Sequence, residues 1–191
     1  IDDDWINNAD IIAKEVKMAY PSTILVKNKE TTNSEDYLKR LGQNYEWIHL
    51  MVHSNSHSHS FKIYNKWDKK ITSDDIEAKD PKALFYNLFA CKAARYVEKN
   101  YIGGRYVFAD TYGLVAIGST KTGAMNNFKT FYETLGERES IGDAFKKWLI
   151  KQHPYDHNKR SWYYGLTILG DPSLSITIEP KIPPAKIDVY K

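Results

Sequence analysis

The chain has 191 residues, of which 42% are hydrophobic, 27% charged and 14% aromatic, a composition typical of one globular domain rather than of a disordered or fibrous protein. Lys and Arg number 27 against 24 Asp and Glu, a net charge of +3, and this near balance excludes the strongly basic class of nucleic-acid-binding proteins. The longest apolar runs, at residues 84–90 and 114–117, are far shorter than the roughly 20 residues that span a bilayer.

The first 60 residues predict helices and strands in alternation. Apolar residues at steps of three and four over residues 5–19 predict an amphipathic helix. Residues 23–26 predict a short buried strand, and residues 33–42 predict a second helix with a polar cap at its start and Gly at its end. Residues 47–52 are almost continuously apolar, as in strands covered on both faces, so this order predicts a right-handed parallel βαβ unit.

The rest of the chain continues the alternation and predicts an α/β protein with a mostly parallel central sheet. The predicted elements are a strand at 84–90, a helix at 92–99, strands at 106–108 and 114–117, a helix at 124–134, a helix capped by Ser140, and a last strand at 163–169.

The last residues differ in composition from the rest. Residues 179–191 are rich in proline, which predicts an extended linker towards a following domain. We therefore place the globular domain at residues 1–178.

Two residues with catalytic potential follow directly after predicted strands. The strand at 47–52 is followed by His53, and the strand at 84–90 is followed by Cys91. Ligands bind beyond the carboxyl ends of parallel strands, so on neighbouring strands an imidazole and a thiol would face each other. That pair is the minimum for a thiol hydrolase, in which the imidazole takes the thiol proton and the thiolate attacks a carbonyl.

Cys91 is the only cysteine in the chain, and it has two interpretations. A free cysteine on an apolar strand is most often a small buried packing residue. A helix beginning just after Cys91 would instead place unpaired N–H groups and a helix dipole where they stabilise a thiolate and an oxyanion.

The segment after residue 52 repeats His and Ser, and it also has competing interpretations. It is either a solvated polar loop or a source of three imidazoles, His53, His57 and His59, that could bind zinc. The spacing is only weakly indicative of a metal site.

Four segments together resemble the catalytic domain of gingipain-type cysteine peptidases, which share a clan with caspases, legumain and clostripain. These segments are residues 47–59, the run Asn87-Leu88-Phe89-Ala90-Cys91, residues 113–120, and the closing run Leu169-Gly170-Asp171-Pro172-Ser173-Leu174.

The resemblance implies a caspase-like three-layer α/β/α sandwich and a cysteine endopeptidase that needs no cofactor. It implies Cys91 as the nucleophile. We prefer His53 as the base because it follows its strand as directly as Cys91 follows its own, and His59 is the second choice because the aromatic Phe61 follows it, much as in the family. The family usually has Gly-His-Gly at the histidine, whereas this chain has Val52-His53-Ser54. A non-catalytic caspase-like domain of a larger surface protein is therefore the rival hypothesis.

Peptidases of this type cleave after Arg or Lys, and the resemblance places the acid that binds this basic side chain at Asp2, Asp3 or Asp4. The alternative is that these acids cap the first helix. The same resemblance makes Gly118, Ser119 and Thr120 part of the pocket wall.

The resemblance also has consequences for partners and location. It implies a protein or peptide substrate, a first strand that is either truncated or supplied by a cleaved N-terminal pro-segment, a following C-terminal domain, and a secreted or cell-surface location.

Overall fold

The computed structural model describes residues 1–176 apart from Lys29, Thr31, Ala124, Asn126, Asn158 and Lys159, and it describes only the backbone of Asp3. The predicted linker at 179–191 lies outside the described residues. A 3₁₀-helix spans Asp3–Asn8. The helices are α1 (Ala9–Val16), α2 (Ser34–Leu41), α3 (Ser73–Lys79), α4 (Ile102–Val107), α5 (Lys129–Gly136), α6 (Ile141–Lys151) and α7 (Arg160–Gly165). The strands are β1 (Trp47–Met51), β2 (His53–Ser54), β3 (Ser58–Ser60), β4 (Lys62–Ile63), β5 (Lys66–Trp67), β6 (Ile71–Thr72), β7 (Phe85–Phe89), β8 (Val115–Ser119) and β9 (Leu166–Gly170).

Within the described residues, the central sheet has the strand order β1-β7-β8-β9. β1, β7 and β8 run parallel, and β9 pairs antiparallel with β8. The register places Met51 opposite Phe89 and Asn87 opposite Ile117. The carboxyl ends of β1, β7 and β8 therefore open on the same edge of the sheet.

Helices cover both faces of this sheet, because side chains along each strand alternate between two cores. On β7, Phe85 and Phe89 contact the core that contains α1, α5 and α6, whereas Tyr86 and Leu88 contact the core that contains α2, α3 and α4. The molecule is thus a three-layer α/β/α sandwich with a mostly parallel sheet, as the sequence predicts.

Two small sheets follow β1 in the chain, beyond the carboxyl edge of the central sheet. β2, β3 and β6 form one antiparallel sheet, in which His53 is opposite Ser60 and Ser54 is opposite His59. β4 and β5 form a hairpin. The His/Ser segment is therefore an ordered hairpin rather than a loop.

Several sequence predictions are confirmed. Strands occur within 47–52 and 84–90, the strand β8 overlaps the predicted 114–117, and a helix occurs within 33–42. Asn33 caps that helix by accepting the Asp36 amide proton. Ser140 caps α6 by accepting the Asp143 amide proton, as the capping pattern predicts.

Other predictions are wrong. Residues 23–26 form no strand, residues 92–99 form turns rather than a helix, and residues 106–108 are not a strand because 106 and 107 end α4. Helix α7 occupies the first part of the predicted strand at 163–169, and β9 begins only at Leu166. The helix predicted at 5–19 is confirmed in part, because α1 spans Ala9–Val16 and follows a 3₁₀-helix that ends at Asn8.

Two of these errors have a physical cause in tertiary contacts. Lys92 has a φ of 58°, which interrupts a helix directly after Cys91, and its amide donates to the Lys121 carbonyl instead. Ile102 and Tyr106 both lie in the core beside α2, and their spacing of four residues matches a helix rather than a strand.

None of the described helices is long and apolar enough to cross a membrane.

Candidate active site

The candidate site lies where β1, β7 and β8 end. The Val52 amide donates to the Phe89 carbonyl at 3.2 Å, which continues the β1–β7 ladder by one step. Met51 and Phe89 are register partners, and His53 and Cys91 each lie two residues after them. The two candidate catalytic residues therefore follow neighbouring parallel strands at the same edge of the sheet.

Cys91 is partly buried, and its chain is fixed to the end of β8. The Lys92 and Ala94 amides donate to the carbonyls of Lys121 and Ser119, at 2.9 and 3.0 Å. The Gly123 amide donates to the Cys91 sulfur at 3.5 Å. The helix dipole expected from the sequence is absent because residues 92–99 form turns.

Gly123 is held in a conformation that suits glycine. Its φ is 119°, a region that side chains with a Cβ rarely adopt. A Cβ there would lie 2.8 Å from Cγ of Trp162. The Trp162 ring therefore packs on the loop that carries the N–H towards Cys91.

His53 is half-buried among aromatic rings. Its ring centroid lies 4.7 Å from that of Trp5 and 5.0 Å from that of Trp67. Trp5 in turn packs against Phe89 at 5.4 Å, in the strand that leads to Cys91. The His53 imidazole therefore packs against Trp5, which links it to the end of β7.

Asp4 completes this arrangement from the N-terminal 3₁₀-helix. Its Oδ2 lies 2.7 Å from His53 Nε2, and Lys62 Nζ donates to Oδ1 at 3.0 Å. Hydrogen bonds from Lys62, the largest cause, and from His53 lower the pKa of the Asp4 carboxyl. Asp4 is therefore an ionised acceptor at neutral pH.

An ionised carboxylate can only accept, so His53 Nε2 carries the proton that it donates to Asp4. In the neutral ring, Nδ1 is then the free base. Among the described residues, Nδ1 has no hydrogen-bond partner, and no hydrogen bond joins any imidazole to the Cys91 sulfur.

Asp2 and Asp3 differ from Asp4. Asp2 is 1% exposed, and its carboxylate accepts the amide protons of Asp4 and Lys62 at 3.1 and 3.2 Å. Burial, the largest cause, raises the pKa of Asp2. Asp2 thus caps the 3₁₀-helix and anchors β4, and the side chain of Asp3 lies outside the described part of the structure.

The segment Gly118, Ser119 and Thr120 ends β8 beside Cys91. Gly118 and Ser119 are buried. The Ser119 hydroxyl donates to the Lys121 carbonyl at 2.8 Å, and the Thr120 hydroxyl donates to the Gly165 carbonyl at 2.9 Å. These bonds shape the loop that leads to Gly123.

The other two histidines of the segment have different surroundings. His59 is 0% exposed, and its two ring nitrogens bond to Ser54 and Tyr106. His57 is exposed and bonds through Nε2 to the Lys99 carbonyl. In the part of the chain that the structure describes, no three His, Cys, Asp or Glu side chains are grouped to hold a metal ion. The zinc hypothesis for His53, His57 and His59 therefore has no ligand set.

Sequence reasoning missed two features of this site. It treated Asp4 as a pocket or capping residue, although Asp4 bonds to His53 from 49 residues away. It also missed the Gly123 N–H. The only local signal for the latter is a glycine in the loop that follows a buried strand.

No family model matches the chain, and no curated protein matches it in sequence. Solved structures do match in fold. The crystal structure of the Arg-specific cysteine proteinase gingipain R (RGPB) matches with a TM-score of 0.68 at 12% identity, covering 90% of this chain and 42% of that chain. A complex of the Porphyromonas gingivalis RgpB pro- and mature domains matches with a TM-score of 0.64 at 11% identity, covering 87% of this chain and 42% of that one.

A third structure, described only as a protease, has a TM-score of 0.62 at 12% identity and covers 92% of this chain and 46% of that chain. The chain thus spans less than half the length of each structure it matches. At such identities the likeness establishes the fold alone. The chain has the mixed α/β, mostly parallel fold seen in gingipain.

Proposed function

We propose that the chain is a cysteine endopeptidase domain in which Cys91 is the nucleophile and His53 the base. The observation that carries this proposal is the hydrogen bond from His53 Nε2 to Asp4, at 2.7 Å. It leaves Nδ1 as the basic nitrogen on an imidazole that follows β1, the strand paired with the one that leads to Cys91.

In this reaction, Nδ1 of His53 takes the proton from the Cys91 thiol. The thiolate attacks the peptide carbonyl carbon, the carbon–nitrogen bond breaks, and the imidazolium gives its proton to the leaving amine. Water then hydrolyses the thioester, again with His53 as base. Asp4 stabilises the imidazolium, and the Gly123 N–H stabilises the thiolate.

The non-catalytic hypothesis has one observation in its favour. Among the described residues, the hydrogen bond to the Cys91 sulfur comes from the Gly123 backbone and none comes from an imidazole. Catalytic hydrogen bonds are often long in ligand-free enzymes and tighten when substrate binds. The two hypotheses therefore differ in the reactivity of the thiol.

Cleavage after Arg or Lys remains a prediction. The name of one structural neighbour describes that protein as Arg-specific. Asp2 and Asp4 are already bonded, to backbone amides and to His53 and Lys62 respectively. We therefore propose Asp4 as an orienting acid rather than as a pocket acid. A pocket role for Asp3 stays a prediction, as do the wall formed by Gly118, Ser119 and Thr120 and the secreted location.

The proposed pro-segment partner has support from a cleft beside β1, the edge strand. The cleft has a volume of about 440 Å³ and lies between β1 and residues 22–26. Two of the residues that line it, Tyr20 and His49, contain buried polar atoms, the hydroxyl and Nε2, that have no hydrogen-bond partner among the described residues.

Backbone contacts suggest what kind of segment fits the cleft. The Ile1 nitrogen donates to the Val26 carbonyl at 3.1 Å, and the Asp2 amide donates to the Met51 carbonyl at 3.1 Å. At the end of the cleft near Met51, the extended backbone of Ile1 and Asp2 is thus hydrogen-bonded to both walls of the cleft. We propose that the partner is an extended segment that lies parallel to β1 and adds a strand.

Thiol reactivity tests the proposed function. Iodoacetamide at neutral pH should alkylate wild-type Cys91 rapidly, and intact-mass spectrometry follows the adduct. His53→Ala should slow this reaction about tenfold or more, because the base that generates the thiolate is lost. His57→Ala, which changes an exposed histidine of the same segment, is the matched control and should react like wild type. Slow and equal rates in all three proteins would favour the non-catalytic domain.

A further inference from the structure

A chain of hydrogen bonds crosses the core on the opposite face of the sheet from Trp5. The Tyr37 and Tyr106 hydroxyls lie 2.9 Å apart, and the Tyr106 hydroxyl lies 3.0 Å from His59 Nε2. His59 Nδ1 lies 3.1 Å from the Ser54 hydroxyl. Both His59 and Tyr106 are 0% exposed, so the bond between them is made without competition from water.

Each proton in this chain can be assigned from the number of donors available. The Ser54 hydroxyl has one proton, and the carbonyls of Asn55 and Ser58 accept it at 2.8 and 3.0 Å. The bond between Ser54 and His59 must therefore use the Nδ1 proton of the imidazole. Nε2 is then the acceptor for Tyr106, and the Tyr106 oxygen accepts from Tyr37.

This assignment requires a neutral His59. Burial lowers the pKa of His59 from 6.5 to about 3. The imidazole of the folded chain therefore keeps one donor and one acceptor until the pH falls to about 3. Both ring nitrogens are used, so His59 has no lone pair left for a substrate or for Cys91.

This series of hydrogen bonds ends at Ser54, beside the proposed base. Ser54 follows His53 in β2 and is opposite His59 in the β2–β3 hairpin. β2 is only two residues long, so its own ladder offers little restraint. The buried bond from His59 to Tyr106 anchors β3 to α4 in the helical layer, and the partly buried bond from His59 to Ser54 joins β2 to β3.

We propose that His59 is a positioning residue, which fixes the β2–β3 hairpin through Tyr106 and Ser54 and thereby holds the His53 imidazole towards Cys91. This role rests on the proposed function of His53 and Cys91. It also assigns His59 a role other than that of an alternative base.

Two substitutions at His59 separate positioning from catalysis. In His59→Gln, the amide oxygen can accept from Tyr106 and the amide nitrogen can donate to Ser54, but the side chain cannot act as a base. We expect kcat within about threefold of wild type for His59→Gln, and a loss of about 10- to 100-fold with unchanged KM for His59→Leu. The pH profile of kcat/KM should keep its acidic limb in His59→Gln. Equal inactivation of both variants would overturn the proposal.

A second measurement needs no enzymatic activity. Amide hydrogen exchange of residues 53–60, in a Cys91→Ala background, should accelerate in His59→Leu and Tyr106→Phe but not in His59→Gln. Unchanged exchange in His59→Leu would overturn the anchoring role even if the protein is an active peptidase. Accelerated exchange in a protein with an unreactive Cys91 would support the anchor while the proposed function fails.

Discussion

The His53 imidazole and the Asp4 carboxylate are joined by a 2.7 Å hydrogen bond between residues that are 49 positions apart. Asp4 is ionised because Lys62 and His53 lower its pKa. The bond fixes the tautomer of His53 and leaves Nδ1 unprotonated in the neutral ring. In the proposed reaction, Asp4 orients His53 as the base for the Cys91 thiol.

Replacing the orienting acid should impair turnover more than it impairs stability. Asp4→Asn keeps the shape of the side chain but lets its amide donate to His53, which favours the wrong tautomer, so we expect kcat to fall by about 10- to 100-fold. Steady-state kinetics on a peptide substrate measure this. Lys62→Gln is the control, because Lys62 bonds to Asp4 but not to His53, and its kcat should stay close to that of wild type. Equal losses in the two variants would assign the effect to general electrostatics.

The loop that carries the Gly123 N–H should tolerate no side chain. In Gly123→Ala the new Cβ would collide with Trp162 at a φ of 119°, so we expect a stability loss of at least about 1 kcal/mol and slower alkylation of Cys91. Urea denaturation and the alkylation rate report the two effects. Gly42→Ala is the matched control, since its Cβ would meet the flexible end of Lys79, and it should change neither value appreciably.

Much of this site could be predicted from local sequence, but not all of it. The apolar runs at 47–52 and 84–90 predict strands because both faces are covered, and the residues that follow them, His53 and Cys91, then lie at one sheet edge. The Asp4–His53 bond could not be predicted, because nothing in the sequence near either residue indicates a partner 49 positions away.

The turns at residues 92–99 could not be predicted either, because contacts distant in sequence determine them. Residues 92–99 are good helix formers by composition, yet the positive φ of Lys92 and the bonds from Lys92 and Ala94 to the end of β8 decide their path. Tertiary hydrogen bonding outweighs the small propensity differences that sequence reasoning uses.

His59 should make the fold sensitive to mild acid. The unfolded chain takes up its proton below pH 6.5, whereas the folded chain does so only near pH 3, so this contribution to stability is complete above 6.5 and falls as the pH drops towards 3. His59→Gln lacks this titration. Between pH 7 and pH 5, wild type should lose about 2 kcal/mol of unfolding free energy relative to His59→Gln. Urea denaturation at the two pH values measures this, and a pH-independent difference would contradict a neutral buried His59.

The unpartnered Tyr20 hydroxyl beside β1 gives a test of the cleft. Tyr20→Phe removes a buried group that has no hydrogen-bond partner among the described residues, so the isolated chain should be unchanged or more stable by up to about 1 kcal/mol. Thermal unfolding measures this. A loss of more than about 1 kcal/mol would mean that the hydroxyl already has a partner in the free chain.

Hydrolysis of a fluorogenic peptide library, varied at the residue before the scissile bond, tests the central claim most directly. Wild type should cleave members of the library, and Cys91→Ala should be inactive with an unchanged fold, because no other side chain supplies the thiolate. A preference for Arg or Lys would also support the specificity implied by the resemblance. Undiminished cleavage by Cys91→Ala, or no cleavage by a wild-type protein whose Cys91 resists alkylation, would contradict the assignment of a cysteine endopeptidase.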